Sequence, residues 1–306
     1  MKSVNFVMLG DQNMAGTFGK KGTVTDLTLY DKKESDVIRT WVVPNGFPEK
    51  IPPLLQAINL AEFVVFYVTS LDRFTGEQIV ALDVLGKHKG ILGHSFDIDE
   101  STLDSMIQKT AVAKYATADH DGLREAMSKL EPVSDHGKTK IVIDHCFDVK
   151  GVGTVALGKV LSGTVMQYDT LKLFPSGMEV MIKSIQMHDK PVEQAQCPAR
   201  VGLSLKGIKP EDVGRGDILC ADDSLYVTDM IKLDFAKTPY YKNSLAEGQM
   251  CLINIGLKTM AGKITSINGL EIKLDKNIAF DKNDTAVILK PESTGIRIAG
   301  SGKIIV

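Results

Sequence analysis

Through the first 133 positions, apolar residues fall in short unbroken runs separated by stretches of a slower rhythm. The runs cover 4–9, 38–43, 63–68 and 90–92. Runs of this length without polar alternation predict strands covered on both faces, as in a largely parallel sheet. Between them the spacing turns helical. Leu54, Leu55, Ile58 and Ala61 line one face of 51–61, and Ile79, Val80 and Val84 do so in 77–85. A third stripe spans 103–113, with Ser101 as its N-cap, and a last one spans 121–130. Leu27, Leu29 and Tyr30, followed by a polar stretch at 31–36, predict an antiparallel hairpin into the run at 38–43. The segment 132–137, Pro-Val-Ser-Asp-His-Gly, reads as a linker. After it the pattern changes. Strand-length segments at 141–143, 153–157, 163–168, 170–174, 179–187 and 200–205 alternate with Gly, Pro and Asp turns, the rhythm of a barrel. A second break falls at 221–224, and the rhythm resumes at 250–255, 262–267, 270–274, 285–289 and 302–306. The expectation is an α/β domain over 1–135 and two all-β barrels over 136–225 and 226–306.

Composition narrows this only a little. At 306 residues, 43% hydrophobic and 24% charged, the chain has the size and balance of a soluble protein of two or three domains. A net charge of −2 argues against coating nucleic acid without specificity but leaves a local patch open. From Tyr226 onward eleven Lys/Arg face eight Asp/Glu, a weak asymmetry. Cys146, Cys197, Cys220 and Cys251 have no C-x-x-C spacing and are expected to be reduced and mostly buried. The six His residues form no ligand pattern, so no metal site is expected. No apolar run approaches the roughly 20 residues of a membrane span, and the N-terminus lacks the design of a signal peptide. The expected location is the cytoplasm.

The first chemistry-bearing segment follows the first strand: Gly10-Asp11-Gln12-Asn13-Met14-Ala15-Gly16-Thr17. On the phosphate-loop template G-x-x-x-x-G-K-[ST] it keeps the first Gly (Gly10) and the final hydroxyl (Thr17). Ala15 replaces the second Gly, Gly16 replaces the Lys, and Asp11 adds a negative charge. Two readings stand side by side. Gly10 and Gly16 permit a tight strand-to-helix turn, with Thr17 a helix hydroxyl or packing residue; or a vestige of phosphate binding persists.

The most specific signal lies further on. Gly151-Val152-Gly153-Thr154-Val155 with Gly158 and Val160 comes first, then Val201-Gly202-Leu203-Ser204-Leu205-Lys206-Gly207-Ile208, then Arg215-Gly216-Asp217-Ile218-Leu219. Glycines at such places serve barrel corners that a Cβ would obstruct. These three blocks, in order over about 75 residues, resemble G-x-G-T-V-x-x-G-x-V, V-G-x-x-L-[RK]-G-[IV] and R-G-[DQ]-[VI]-L of the second-domain barrel of translational GTPases, on the EF-Tu and SelB branch. The resemblance implies an α/β P-loop GTPase-like domain followed by two all-β barrels, the EF-Tu-like three-domain architecture. It is strong over 139–220, moderate over 1–133 and loose over 227–306. SelB proteins carry a further C-terminal domain, and this chain stops after the third.

The resemblance also places the nucleotide motifs, and shows them altered. D-x-x-G falls on Val43-Pro44-Asn45-Gly46, with Gly46 kept and a valine where the Mg²⁺-holding Asp belongs. The following His corresponds to Phe47. N-K-x-D falls on His94-Ser95-Phe96-Asp97, with only Asp97 kept, either to accept guanine N–H groups or to cap the helix after it. The S-A-[KL] block reads as Tyr115-Ala116-Thr117, and the span 17–43 leaves little room for a switch loop. One lost charge-assisted contact is worth on the order of 2–3 kcal/mol. The expectation is therefore no catalytic residues, little or no GTPase activity and no required cofactor. Gly10, Ala15, Gly16, Thr17, Gly46 and Asp97 mark a vestigial nucleotide site. The implied partner is tRNA or the ribosome, with Arg200, Lys206 and Lys209 as RNA-facing candidates, or simply exposed barrel charges. Lys20 and Lys21 read as a basic turn or a phosphate contact, and Tyr240-Tyr241-Lys242-Asn243 as a stacking surface or a turn. Trp41 reads as core. A slow GTPase using Thr17 and Asp97, and a protein-interaction scaffold without RNA, remain open; protein partners are unknown.

Overall fold

In a computed structural model, which describes residues 1–305, the first segment folds around a seven-stranded sheet. Its elements are β1 (Lys2–Gly10), α1 (Ala15–Phe18), β2 (Lys20–Val24), β3 (Thr28–Glu34), β4 (Val37–Val43), α2 (Pro52–Leu60), β5 (Phe63–Val68), α3 (Arg73–Val84), β6 (Gly90–His94), α4 (Glu100–Ile107), β7 (Ala116–Thr117) and α5 (Leu123–Ser128). The strand order is β2-β3-β4-β1-β5-β6-β7. β4, β1, β5, β6 and β7 run parallel, and the β2–β3–β4 meander is antiparallel. The apolar runs are the parallel strands, and β5 is buried along its whole length. Trp41 lies between Phe6 and Phe18, with ring centroids 5.8 and 5.7 Å away, which fixes the short α1 on the sheet.

Three local expectations are corrected. Lys20 and Lys21 belong to β2, the edge strand, and not to a turn; charge on an edge discourages unwanted pairing. Asp99, not Ser101 or Asp97, caps α4, accepting from the Thr102 N–H at 3.2 Å. The helical stripe at 103–113 breaks after Ile107, and a separate 3-10 turn over Ala111–Lys114 is capped by Thr110.

The second segment contains β8 (Lys140–Val149), β9 (Gly153–Ser162), β10 (Thr164–Met166), β11 (Thr170–Phe174), β12 (Met178–Met187), β13 (Lys190–Val192), β14 (Gln194–Gln196), β15 (Arg200–Lys206) and β16 (Ile218–Cys220). Six of these close into a barrel in the order β11-β16-β8-β9-β15-β12, with β11 pairing back onto β12. Val201, Leu203 and Leu205 point inward, so Arg200, Gly202 and Ser204 form the outer face of β15. The third segment, β17 (Tyr226–Lys237), β18 (Met250–Ile255), β19 (Lys258–Ser266), β20 (Glu271–Phe280), β21 (Thr285–Leu289) and β22 (Ile298–Ile305), is a closed six-stranded barrel. Tyr241 is buried in it beneath the Lys237 ammonium, 5.7 Å from the ring centroid, so 240–243 is a structural turn.

Each barrel has a core of its own, and a further buried cluster joins all three bodies. Leu54 and Ile58 of α2 share one buried cluster with Val142 and Ile218 of the first barrel and Leu257 and Ile298 of the second. Polar groups complete the first of these junctions. Lys159 of β9 forms an ion pair with Glu62, just before β5, and also donates to the Leu60 carbonyl at 2.8 Å. Asn5 of β1 donates to Glu62 at 2.9 Å and across the boundary to the Pro198 carbonyl at 2.9 Å.

The half-buried Lys87 donates to the Ala61 carbonyl at 2.9 Å. Burial, and then the Lys159 charge nearby, push its ammonium down from 10.5 to about 8. The unfolded chain therefore holds this proton more tightly than the folded one. Stability is reduced below the folded value and recovers as pH rises from about 8 towards the unfolded Lys value of about 10.4. Lys87→Met is expected to stabilise the protein at pH 7 by on the order of 1–3 kcal/mol. In denaturation curves taken across the alkaline range, the gap between variant and wild type should close. A Lys87→Met protein no more stable than wild type at neutral pH would contradict this.

Candidate functional site

The C-terminal ends of the parallel strands form the rim where open α/β sheets place ligands. Gly10 ends β1 with φ +72°, and a Cβ there would come within 1.9 Å of the Tyr67 carbonyl oxygen. The strand-to-loop turn therefore requires this glycine whatever the loop binds. Gly16 has no such need; the nearest atom to a Cβ would be Tyr30 Cε1 at 3.7 Å. The Gly10 N–H donates to Gln78 Oε1 of α3 at 2.8 Å, and the Asp11 N–H to the Tyr67 carbonyl at 2.9 Å. Asp11 folds its own carboxylate back to accept from the Asn13 N–H at 3.1 Å. Two of the loop's leading N–H groups are thus spent on the protein, and a carboxylate takes a third. Ala15 is buried and opens α1, which runs only four residues. A single turn sums few peptide dipoles. The Thr17 hydroxyl donates back to the Met14 carbonyl at 2.7 Å, and Arg124 donates to the Thr17 carbonyl at 2.8 Å.

The second motif is equally engaged. Val43 and Phe47 are buried. The Gly46 N–H donates to the Asp26 carbonyl at 2.9 Å, and a Cβ at Gly46 would stand 3.0 Å from Pro53 Cγ. The span 22–26 is tied down as well. Arg215, from the loop before β16, donates to Asp26 Oδ1 at 2.6 Å, Gln56 Oε1 at 3.1 Å and Thr25 Oγ1 at 3.2 Å. Burial raises the Asp26 carboxyl, but the hydrogen bond and charge of Arg215 outweigh it and hold the group below its ordinary value.

Around the third motif a cleft of about 450 Å³ opens between α4 and the end of β7, lined by His94, Glu100, Leu103, Asp104, Thr117 and Asp119 among others. Asp97 stands outside it, exposed, and accepts from the Ser95 hydroxyl at 2.5 Å, which lowers its pKa. Phe96 beside it is fully exposed. Burial raises the Tyr67 phenol, and the surrounding carboxylates of Asp11, Asp119, Asp121 and Asp97 raise it further. The rim where a triphosphate would rest is therefore surrounded by negative charge. Among the described residues no group of His, Cys, Asp and Glu is disposed to hold a metal ion.

The barrel candidates separate. Lys206 and Lys209 are exposed, the latter 3.8 Å from Glu211. Arg200 is not an exposed charge: its Nη2 donates to Asp144 Oδ2 at 2.7 Å, and its side chain is only 14% exposed. This pair leaves Arg200 Nη1 and Asp144 Oδ1 buried without a partner, and Ser204 Oγ, on the same face of β15, is a third such atom. Asp144 escaped notice in the sequence because Ile-Val-Ile-Asp reads as one more strand. Gln78 escaped because a glutamine in a helical stripe carries no signal of its own.

Comparison with known proteins gives these positions a context. Residues 153–220 match the family described as elongation factor Tu domain 2. An uncharacterized protein of Methanocaldococcus jannaschii is 36% identical over 94% of this chain and 94% of its own length. The selenocysteine-specific elongation factor of the same organism is 28% identical, over 94% of this chain and 72% of its length. Among solved structures, translation elongation factor SelB from Methanococcus maripaludis, in complex with the GTP analogue GppNHp, superposes with a TM-score of 0.83 at 20% identity, covering 100% of this chain and 79% of that one.

Proposed function

Because the chain belongs to the translational GTPase family, on the branch of EF-Tu and SelB, we propose that it is an elongation factor-like protein that binds tRNA or ribosome-associated RNA without hydrolysing GTP. The observation that carries this reading is the buried Asp144–Arg200 pair with its two unpartnered atoms. A buried donor or acceptor left unpaired costs on the order of 1–3 kcal/mol, more when charged. Such groups are completed by ordered water, an ion or a ligand. In the family the second-domain barrel cradles the aminoacyl end of tRNA. Here an acceptor, a charged donor and a hydroxyl stand on that barrel's outer face, while Lys206 and Lys209 offer phosphate contacts near the end of β15.

On the same reading the residues at the rim of the first domain do not fit a magnesium nucleotide. Gly16 brings no cation, Val43 no ligand for the metal, and three of the loop N–H groups already have partners. RNA recognition then rests on shape and charge alone.

A tRNA-binding titration across a salt series tests the proposal. Affinity should fall linearly on a log–log plot as phosphate contacts exchange for counterions. Replacing Lys206 and Lys209 together with methionine should weaken binding and flatten the slope by roughly 1–2. Arg200→Met should weaken binding to aminoacylated tRNA by about 10- to 100-fold through a lost charge-assisted contact. Absence of any complex at the lowest salt would favour the protein-interaction scaffold.

A further inference from the structure

We propose that the three bodies of this protein are locked in one mutual arrangement by ionic clamps, fully buried at Glu77–Arg297 and partly buried at the other two junctions, so that their orientation is set by the chain itself and not by a bound nucleotide. This concerns the fold and stands independently of the RNA reading. Each pair of bodies has its own clamp. Between the first and third, Glu77 of α3 is fully buried and accepts from Arg297 Nη2 at 2.6 Å, Nε at 3.0 Å and the Arg297 backbone N–H at 2.8 Å. Between the first and second, Arg215 joins Asp26, Thr25 and Gln56 at once, and its Nε donates to the Asp144 carbonyl at 3.1 Å. Between the second and third, Lys258 reaches Asp217 Oδ1 at 2.7 Å and Lys140 pairs with Asp281.

The helix after the D-x-x-G-like segment, α2, is caught among all three. Gln56 donates to the Leu257 carbonyl at 2.9 Å while accepting from Arg215, and Asn59 donates to the Gly256 carbonyl at 2.8 Å. Rotating the first body would strand a charge in the apolar cluster that α2 shares with both barrels. Parting one buried pair disfavours the opened arrangement by about a hundred- to several-thousandfold. Several clamps opening together would leave that arrangement too scarce for a ligand of ordinary differential affinity to populate. A switching protein places its moving element at such a junction with exposed or exchangeable partners. Here Arg215, Glu77 and Gln56 are each held from two or more sides.

Spin labels on exposed positions read the arrangement directly. Lys109→Cys with Lys263→Cys spans the first and third bodies, and Lys109→Cys with Lys183→Cys spans the first and second; the half-buried Cys146 is replaced by serine in both. Each pair is expected to give a single narrow distance distribution that neither MgGTP nor MgGDP moves. Arg215→Ala combined with Arg297→Met should broaden both distributions. Should that variant fail to fold, the clamped protein still decides the matter. Two populations, or a shift of either distance on adding nucleotide, would overturn the proposal.

Discussion

Titration with labelled GTP or GDP in the presence of Mg²⁺ is expected to give no saturable binding in the micromolar range. Contacts at three motifs that would hold magnesium GTP are missing by residue type: the Lys at Gly16, the Asp at Val43, and the Asn and Lys of the guanine motif at His94 and Ser95. At about 2–3 kcal/mol each they amount to roughly 6–9 kcal/mol, or about 10⁴- to 10⁶-fold in affinity. Geometry adds to this. The Gly10 N–H is held by Gln78, and the carboxylate of Asp11 lies within the loop. Restoring the cation with Gly16→Lys is therefore expected to leave affinity weak, because three N–H groups of the loop have other partners and the Asp11 carboxylate remains within it. Adding Gln78→Ala should help more than adding Val43→Asp, whose carboxylate would have to leave a packed site. Saturable micromolar binding, or hydrolysis that disappears in Thr17→Ala and Asp97→Ala, would instead establish a slow GTPase.

Arg297→Met is expected to lower stability by about 3–5 kcal/mol, the usual result of removing one partner from a buried pair. Glu77 has no exposure and loses the Nε and Nη2 donors together. Glu77→Leu together with Arg297→Met should recover most of the loss, since two apolar groups fill the site without stranding a charge. Urea denaturation of the two variants at neutral pH measures each part. A loss below about 1 kcal/mol in Arg297→Met would mean that solvent reaches Glu77.

Both predictions rest on features with different legibility in the sequence. The parallel strands declared themselves, because a run such as Phe63-Val64-Val65-Phe66-Tyr67-Val68 has few other uses. The first strand of the last barrel did not. Ile231, Leu233 and Phe235 alternate with Lys232 and Asp234 as a half-exposed strand should, yet Tyr226–Lys237 begins too close to the break at 221–224 to stand out. The end of α4 was misplaced because its apolar stripe continues into a second short turn with its own cap. The altered loop was legible residue by residue. What surrounds it was not: Gln78 lies 68 positions from Gly10, and Arg297 lies 220 from Glu77. Neither residue carries a local pattern that announces such a partner. The same holds for Arg200, whose type suggests solvent and phosphate until Asp144 is found beside it.

The shared apolar cluster bears on how the chain is made. The first body leaves the ribosome before the two barrels and would ordinarily fold there as a unit. Its helices α2 and α3, however, bury side chains against strands synthesised much later, and Glu77 has no counter-ion until residue 297 exists. The nascent protein must therefore carry a half-covered, charge-strained N-terminal body through most of its synthesis. Until the barrels follow, the first body exposes apolar surface that the finished fold covers.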